Sequence, residues 1–563
     1  MRSAESIYYL RNFFLRYKNY IAVLIASLCI WKWYWASNFI GMHDTWDAMH
    51  YVKTSYESWR GGLIPLWQTF GGYKRYFFAG GEYPVLPLFS FFLTHVLSLP
   101  AWLKTHYYIY LLFGAIGMVT LLEKLQSRGF LPAFFALVSF FSGRIQAFIY
   151  YQYTWVVMWA FMPWMLYFLI KSNDDWRYWL GIAITVALFI FSAPAHAFTW
   201  AAGSIIIFSL CYILRDKTVF FRTILGLLAG MLLSAPVLLP MLTYNWAGTI
   251  GRITNPTHGY FDLHQLITSF IGRFSQHINV YFLGPKVLMW HESYSYIGII
   301  PVFLILAGLG VAIFRFRKWY LQCSIALYSF LIAFAILLIS CGNIIRIMDY
   351  LYIPFAGTSP FPQRMTVAVI FWSSVGASTA LSALWDNLNL NARRILAGLT
   401  LAALIFITVD YTMLLRQIDQ ELHGSTKAKK MAVEDLNNSE WLSKNELEFA
   451  GDNKDAKLGI ELLVPGNGLY FIGNCDKETA IWFPNLDNRF VERYLRIRNV
   501  SGKEVRKENY KFILPAGEYC YRLYLKDIYI YIGILVSFAT IVLLVLMRDR
   551  FAKFLKPKGI SGF

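Results

Sequence analysis

The chain has 563 residues, of which 57% are apolar, 15% charged and 18% aromatic, with a formal net charge of +18. So little charged surface excludes an ordinary water-soluble globular protein of this length and points to a membrane protein. The position of the charge argues against nucleic acid: 416–527 holds 18 basic and 18 acidic residues, leaving 33 of the 51 basic but only 15 of the 33 acidic residues to the apolar remainder. There Lys and Arg mark cytoplasmic loops and phosphate-facing surfaces.

The first apolar run, 20–40, is long enough to span and lacks a small-residue cleavage site, so it reads as a signal anchor. Arg11, Arg16 and Lys18 precede it and place the N-terminus in the cytoplasm. Further basic loops follow at Lys124 with Arg128, Lys171 with Arg177, Arg215 with Lys217 and Arg222, Arg315 with Arg317 and Lys318, and Arg393 with Arg394. A basic tail closes the chain. About 12 spans satisfy them all: 19–39, 105–122, 129–147, 150–170, 178–193, 196–214, 221–243, 297–314, 319–341, 364–384, 395–415 and 526–547. The run 84–99 breaks this parity if it spans and is read as re-entrant or interfacial, with a thirteen-span arrangement as the alternative. Cys29, Cys211, Cys323 and Cys341 lie in or beside apolar spans and read as buried small hydrophobes.

The expected organisation is mainly α, a polytopic helix bundle at 1–415 with outer loops 41–104, 244–296 and 342–364. An extracytoplasmic soluble domain follows at 416–525, then a final helix and basic cytoplasmic tail at 526–563. Within the soluble domain, 458–525 alternates short apolar runs with Gly, Asn and Pro, the pattern of a small β-sandwich. Cys475 and Cys520 are its only cysteines and form a disulfide candidate in an oxidising compartment.

Parity leaves few acids on the outer face: Asp44, Asp47, Glu57, Glu82, Asp262, Glu292 and Asp349, with Asp410 inside a span near its outer end. Asp44, in MHDTWDAMH, follows the first span closely and suits a general base acting on an acceptor hydroxyl at the membrane surface. On a helix, Asp47 and His50 share its face. Two alternatives stay open: a divalent metal held by His43, Asp44 and Asp47, whose spacing is not diagnostic, and a solvated helix start capped by Asp44 or Asp47. The second outer loop brings Arg252, His258, Asp262, His264, Arg273, His277, Lys286, His291 and Glu292 together, a mixture suited to phosphate and hydroxyl groups, or simply to loop solvation. Arg364, in SPFPQR, is either a snorkelling anchor or a phosphate ligand.

Several segments, in order, resemble the YfhO-like bacterial membrane proteins of the GT-C glycosyltransferase superfamily: HDTWD, GGLIPLWQTFGGY, LLSAPVLLPMLTY, ESYSYIGIIPVFLILAGL, SPFPQRMTVAV and ILPAGEYCYRLYL before the last span. The resemblance implies a GT-C fold in the bacterial cytoplasmic membrane. It further implies a polyprenyl-phosphate sugar donor and a cell-envelope glycan, lipid or protein acceptor on the extracytoplasmic face. By the same resemblance Asp44 is the catalytic base, Glu292 and Arg364 are site residues, and the aromatic first loop lines the acceptor side. One position departs from the pattern, Gln68 standing where the family motif has Asn. The resulting expectation is an inverting glycosyltransferase. Asp47, Glu82, His258, Asp262, His264 and His291 are further substrate-binding candidates, and no cofactor is demanded unless the metal alternative holds. A lipid or polysaccharide transporter, suggested by Pro163, Pro194, Pro236 and Pro240, and a non-catalytic envelope scaffold are the competing classes.

Overall fold

A computed structural model describes residues 2–42, most of 52–60, then 92–151, 159–192, 195–212, 217–240, 269–272, 294–315, 320–340 and 365–424. Beyond these it describes 430–432, 450–452, 457–464, 468–475, 477–482, 495–499, 503–525 and 528–547. The described helices, in chain order, are α1 (Arg2–Ala36), α2 (Leu99–Lys124), α3 (Leu131–Phe141), α4 (Gly143–Tyr151), α5 (Met162–Lys171), α6 (Trp179–Ser192) and α7 (Ala195–Tyr212). They continue with α8 (Lys217–Leu233), α9 (Ile299–Arg315), α10 (Tyr320–Ser340), α11 (Thr366–Asp386), α12 (Leu390–Gly424) and α13 (Ile528–Leu546). Among the described residues, six helices are long and apolar enough to cross a membrane: Phe13–Ala36, Leu99–Lys124, Leu131–Ile149, Thr366–Asp386, Leu390–Gln420 and Tyr529–Leu546. Five shorter apolar helices accompany them. The protein is a polytopic, membrane-type helical bundle with a small β region near its C-terminus.

Proline sets several helix starts. Pro100, Pro132 and Pro163 each occupy the first turn of their helix, where the missing N–H had no intrahelical acceptor to lose. The α3–α4 rod and α11 form the buried centre, with α2 beside them, whereas α1, α12 and α13 sit at the periphery. Close approach there depends on small residues: a Cβ on Gly308 of α9 would come within 2.7 Å of the Ala377 backbone on α11. Peripheral helices keep large apolar side chains outward, among them Phe303, Ile405, Phe406, Leu535 and Phe538, the surface lipid tails would cover. The last helix docks on α8, where Ser537 donates to the carbonyls of Leu232 and Leu233.

Loops read from sequence as basic and cytoplasmic do meet at one end of the bundle. Lys124 and Lys171 both pair with Asp174, at 2.6 and 3.0 Å, and Arg128 pairs with Asp386 at 3.0 Å. Arg222 donates to the Ser172 carbonyl at 2.7 Å, and Asn19 of α1 donates to Glu123 at 2.9 Å.

Several boundaries differ from expectation. The stretch 129–147 is two helices, because Ser142 takes extended backbone angles (φ −63°, ψ 167°) between α3 and α4. Helix α2 starts at Leu99, which puts Lys104 inside it, and α12 runs on to Gly424. Of the run 84–99, Phe92–His95 forms one 3-10 turn before α2 opens; 84–91 lies outside the described residues.

The β region contains two four-stranded antiparallel sheets. One has the order β4 (Lys457–Val464), β5 (Gly468–Cys475), β10 (Gly517–Leu525), β7 (Leu495–Asn499). The other runs β3 (Ala450–Gly451), β6 (Thr479–Trp482), β9 (Lys511–Leu514), β8 (Arg506–Glu508). Alternation works as the pattern requires: Ile481, Phe512 and Leu514 of one sheet and Ile497 of the other are buried. Cys475 lies opposite Gly517 and Cys520 opposite Ile472, so the two cysteines sit three positions apart along neighbouring strands.

Candidate functional site

The opposite end of the bundle is built differently. Helix α1 ends at Ala36, and the next residue, Ser37, is gripped twice: Lys104 of α2 donates its Nζ to the Ser37 carbonyl at 2.5 Å, and the Ser37 hydroxyl donates to Asp419 of α12. Lys104 is buried, with its ammonium 5.1 Å from the Tyr34 ring centroid. Around it Trp31 donates to the Lys104 carbonyl, Arg416 of α12 lies over Trp33 at 4.9 Å, and Trp102 packs on His106. The short helical pieces within 52–60 reach this cluster through Tyr56, whose ring lies 5.4 Å from that of Trp102. Tyr56 donates to the Leu97 carbonyl at 2.6 Å, and burial pushes the Lys53 ammonium below its ordinary range, with Glu57 acting in the other direction.

From Ser37 the chain enters β1 (Phe39–Met42), which pairs antiparallel with β2 (Lys430–Ala432) just beyond α12, Met42 opposite Lys430. This ribbon joins the exit of the first span to the start of the C-terminal region and lies against α4.

Helix α4 is the hub. Arg144 in its first turn is fully buried, donates Nη1 to the Tyr294 carbonyl at 3.1 Å and has its guanidinium 4.1 Å from the Phe148 ring centroid. Gln146 uses its amide nitrogen to hold the Phe141 and Tyr411 carbonyls, each at 3.0 Å, tying the end of α3 to α12. Gly143 is glycine because the neighbouring chain lies on it: a Cβ would come within 2.9 Å of Leu414 and of the Tyr294 ring. Tyr294 and Tyr296 stack, the Tyr296 hydroxyl donates to Asp410 at 2.8 Å, and Tyr411 donates to the Ile297 carbonyl. Ser295 donates to Thr366 at the start of α11, at 2.8 Å.

Asp44, Asp47, Glu82, His258, Asp262, His264, His291, Glu292 and Arg364 lie outside the described residues, as do the other members of the alternative metal set. Their flanks are described. Met42 stands two residues before Asp44, Tyr294 two after Glu292, and Thr366 two after Arg364; these three flanks converge on α4 and its neighbours. Asp410, expected near the outer end of a span, is at this same end. Among the described residues no group of three or more His, Cys, Asp or Glu could hold a metal.

Sequence reasoning missed Lys104, Ser142, Arg144 and Asp419. From sequence, Lys104 falls in a loop and SGRIQ within an apolar span. The available signal was the Arg itself, since a cation inside a span is costly and marks a function. Fold and site thus define a polytopic membrane protein with cations buried at one end of its bundle, beside a β ribbon leading to a C-terminal β region. No protein-family model matches the chain, and no curated protein matches it at a significant level.

Proposed function

We propose that the chain is an inverting glycosyltransferase of the GT-C type, resembling the YfhO-like proteins, with about 12 spans and both termini in the cytoplasm of a bacterium. It transfers a sugar from a polyprenyl-phosphate donor to a cell-envelope glycan, lipid or protein on the extracytoplasmic face. One observation supports this reading above the others: the described flanks of Asp44, Glu292 and Arg364 meet around α4, at the bundle end opposite the paired basic loops.

In this reading Asp44 takes the proton of an acceptor hydroxyl as its oxygen bonds to the anomeric carbon. The bond from that carbon to the donor phosphate breaks, its electron pair leaves with the phosphate oxygen, and fixed cations at this end, Arg364 among them, stabilise the developing charge.

The test supplies purified full-length protein with a radiolabelled polyprenyl-phosphate sugar and compares surface glycans, by mass spectrometry, between cells carrying the wild type and Asp44→Asn. Loss of the sugar from both readouts is the expected result. Unchanged glycan composition in the Asp44→Asn strain overturns the role given to Asp44, and flipping or binding of the donor without transfer overturns the transferase.

A further inference from the structure

We infer that the break between α3 and α4 is a phosphate-binding element, the place where the anionic head of a lipid phosphate is held. The inference deepens the glycosyltransferase reading and rests on it for the identity of the donor, but the anion site itself stands on the geometry of Ser142, Gly143 and Arg144.

The chain interrupts an otherwise continuous buried helical rod at Ser142 and restarts it at Gly143, so a helix N-terminus is created inside the bundle. The first-turn amides of a helix have no intrahelical acceptor, and together with the helix dipole they favour an anion. Burying such a terminus is expensive unless something satisfies it. Serine at this position ordinarily caps the helix through its own hydroxyl. Here the Ser142 Oγ is fully buried and has no hydrogen-bond partner among the described residues.

Many of the chain's other buried serines use their hydroxyls, although Ser374 on α11 is also fully buried with no partner for its Oγ among the described residues. Ser209, Ser329, Ser340 and Ser382 all return their hydroxyl to a carbonyl three or four residues back in their own helix. Ser139, one turn before Ser142 on α3, shares its state: buried, with no partner for its hydroxyl among the described residues. Ser139 lies in the last turn of α3 and Ser142 follows that helix, so two hydroxyls without a described partner stand at the α3–α4 break.

Charge completes the site. Arg144, in the first turn of α4, is fully buried and carries a permanent positive charge whose planar N–H groups match phosphate oxygens. The nearby carboxylate on α12, Asp410, accepts the Tyr296 hydroxyl. The Gln146 amide nitrogen is committed to the Phe141 and Tyr411 carbonyls, which holds the two helix ends in place around the break. A phosphate here would take the Ser142 hydroxyl, the α4 amides and the Arg144 charge together.

The experiment measures binding to the purified full-length protein in zwitterionic nanodiscs, with three probes: farnesyl phosphate, farnesol and inorganic phosphate. Farnesyl phosphate is expected to bind, farnesol to bind at least tenfold more weakly, and both Ser142→Ala and Arg144→Gln to weaken farnesyl phosphate roughly tenfold or more. Displacement of farnesyl phosphate by millimolar inorganic phosphate also supports the site and assigns recognition to the anion rather than the lipid tail. Equal binding of farnesol, or unchanged farnesyl phosphate binding in Ser142→Ala, overturns it. Ser142→Ala removes only a hydroxyl and decides the matter if Arg144→Gln does not fold. Farnesyl phosphate bound at this site with no sugar transfer sinks the transferase reading and leaves the anion site standing. Transfer at the wild-type rate by Arg144→Gln sinks the anion site and leaves the transferase.

Discussion

The two ends of the bundle solve the same problem, how to accommodate charge at the edge of an apolar body, in opposite ways. At one end the cations Lys124, Lys171 and Arg128 meet carboxylates in partly exposed ion pairs, Asp174 and Asp386, contributed by neighbouring loops. At the other, Lys104 and Arg144 are drawn inside and donate to the backbone carbonyls of Ser37 and Tyr294, with the Asp419 carboxylate acting on the Lys104 charge. Paired surface charges close a structure and do little else. A buried cation carries a desolvation cost that a partly exposed pair does not.

The largest effect should come from the buried cation. Lys104→Ala deprives the Ser37 carbonyl of its donor and leaves a cavity beside Tyr34, at a loss of about 2–4 kcal/mol. Lys104→Met, which fills the space without the charge, should lose less. Both are read as thermal unfolding of the full-length protein in detergent, followed by Trp fluorescence. If Lys104→Ala melts with the wild type, the contrast between the two ends fails, because the inner cation then contributes no more than a surface one.

A second test bears on the α3–α4 break. Gly143→Ala places a Cβ within 2.9 Å of Leu414 and the Tyr294 ring, and overpacking of this kind costs about 1–3 kcal/mol. Gly310→Ala on α9 is the control: nothing lies within 4 Å of its Cβ, so helix propensity alone should stabilise it by up to about 1 kcal/mol. Destabilisation at Gly143 with none at Gly310, measured in the same melts, locates tight packing at the site end. Equal behaviour of the two would mean that the Tyr294 segment gives way, and that the convergence on α4 is loose.

Why the two ends were unequally legible in sequence follows from the same chemistry. Basic loops announce themselves, because Lys124, Arg128, Lys171 and Arg222 stand in or beside polar breaks between apolar runs, and their grouping at one end follows from parity alone. Ser142 and Gly143 are small and barely polar, so hydropathy passes over the helix break they make. The partners of Lys104 and Arg144 are carbonyls 67 and 150 residues away, and any residue type supplies a carbonyl. Pairing of β1 with β2 joins strands at Phe39 and Ala432 across nearly the whole bundle, and no local pattern encodes it.

The smallest effect belongs to the paired end and carries a sign. Burial opposes ionisation of Asp174, but the hydrogen bonds and charges of Lys124 and Lys171 outweigh it and hold the carboxyl below its usual value. A carboxylate depressed in the folded state contributes stability that is fully present above the ordinary carboxylate range, near pH 4, and is lost as pH falls through the lowered folded value. Asp174→Asn should therefore lower the melting temperature at pH 7 slightly, by no more than about 1 kcal/mol of stability, since the pair is partly exposed and screened by water. The difference from wild type should shrink as the buffer is taken below about pH 4, and shrink again in molar salt, where screening acts within about 3 Å. A difference that persists in both conditions would show that Asp174 acts by packing rather than by charge, and the paired end would then resemble the buried one after all.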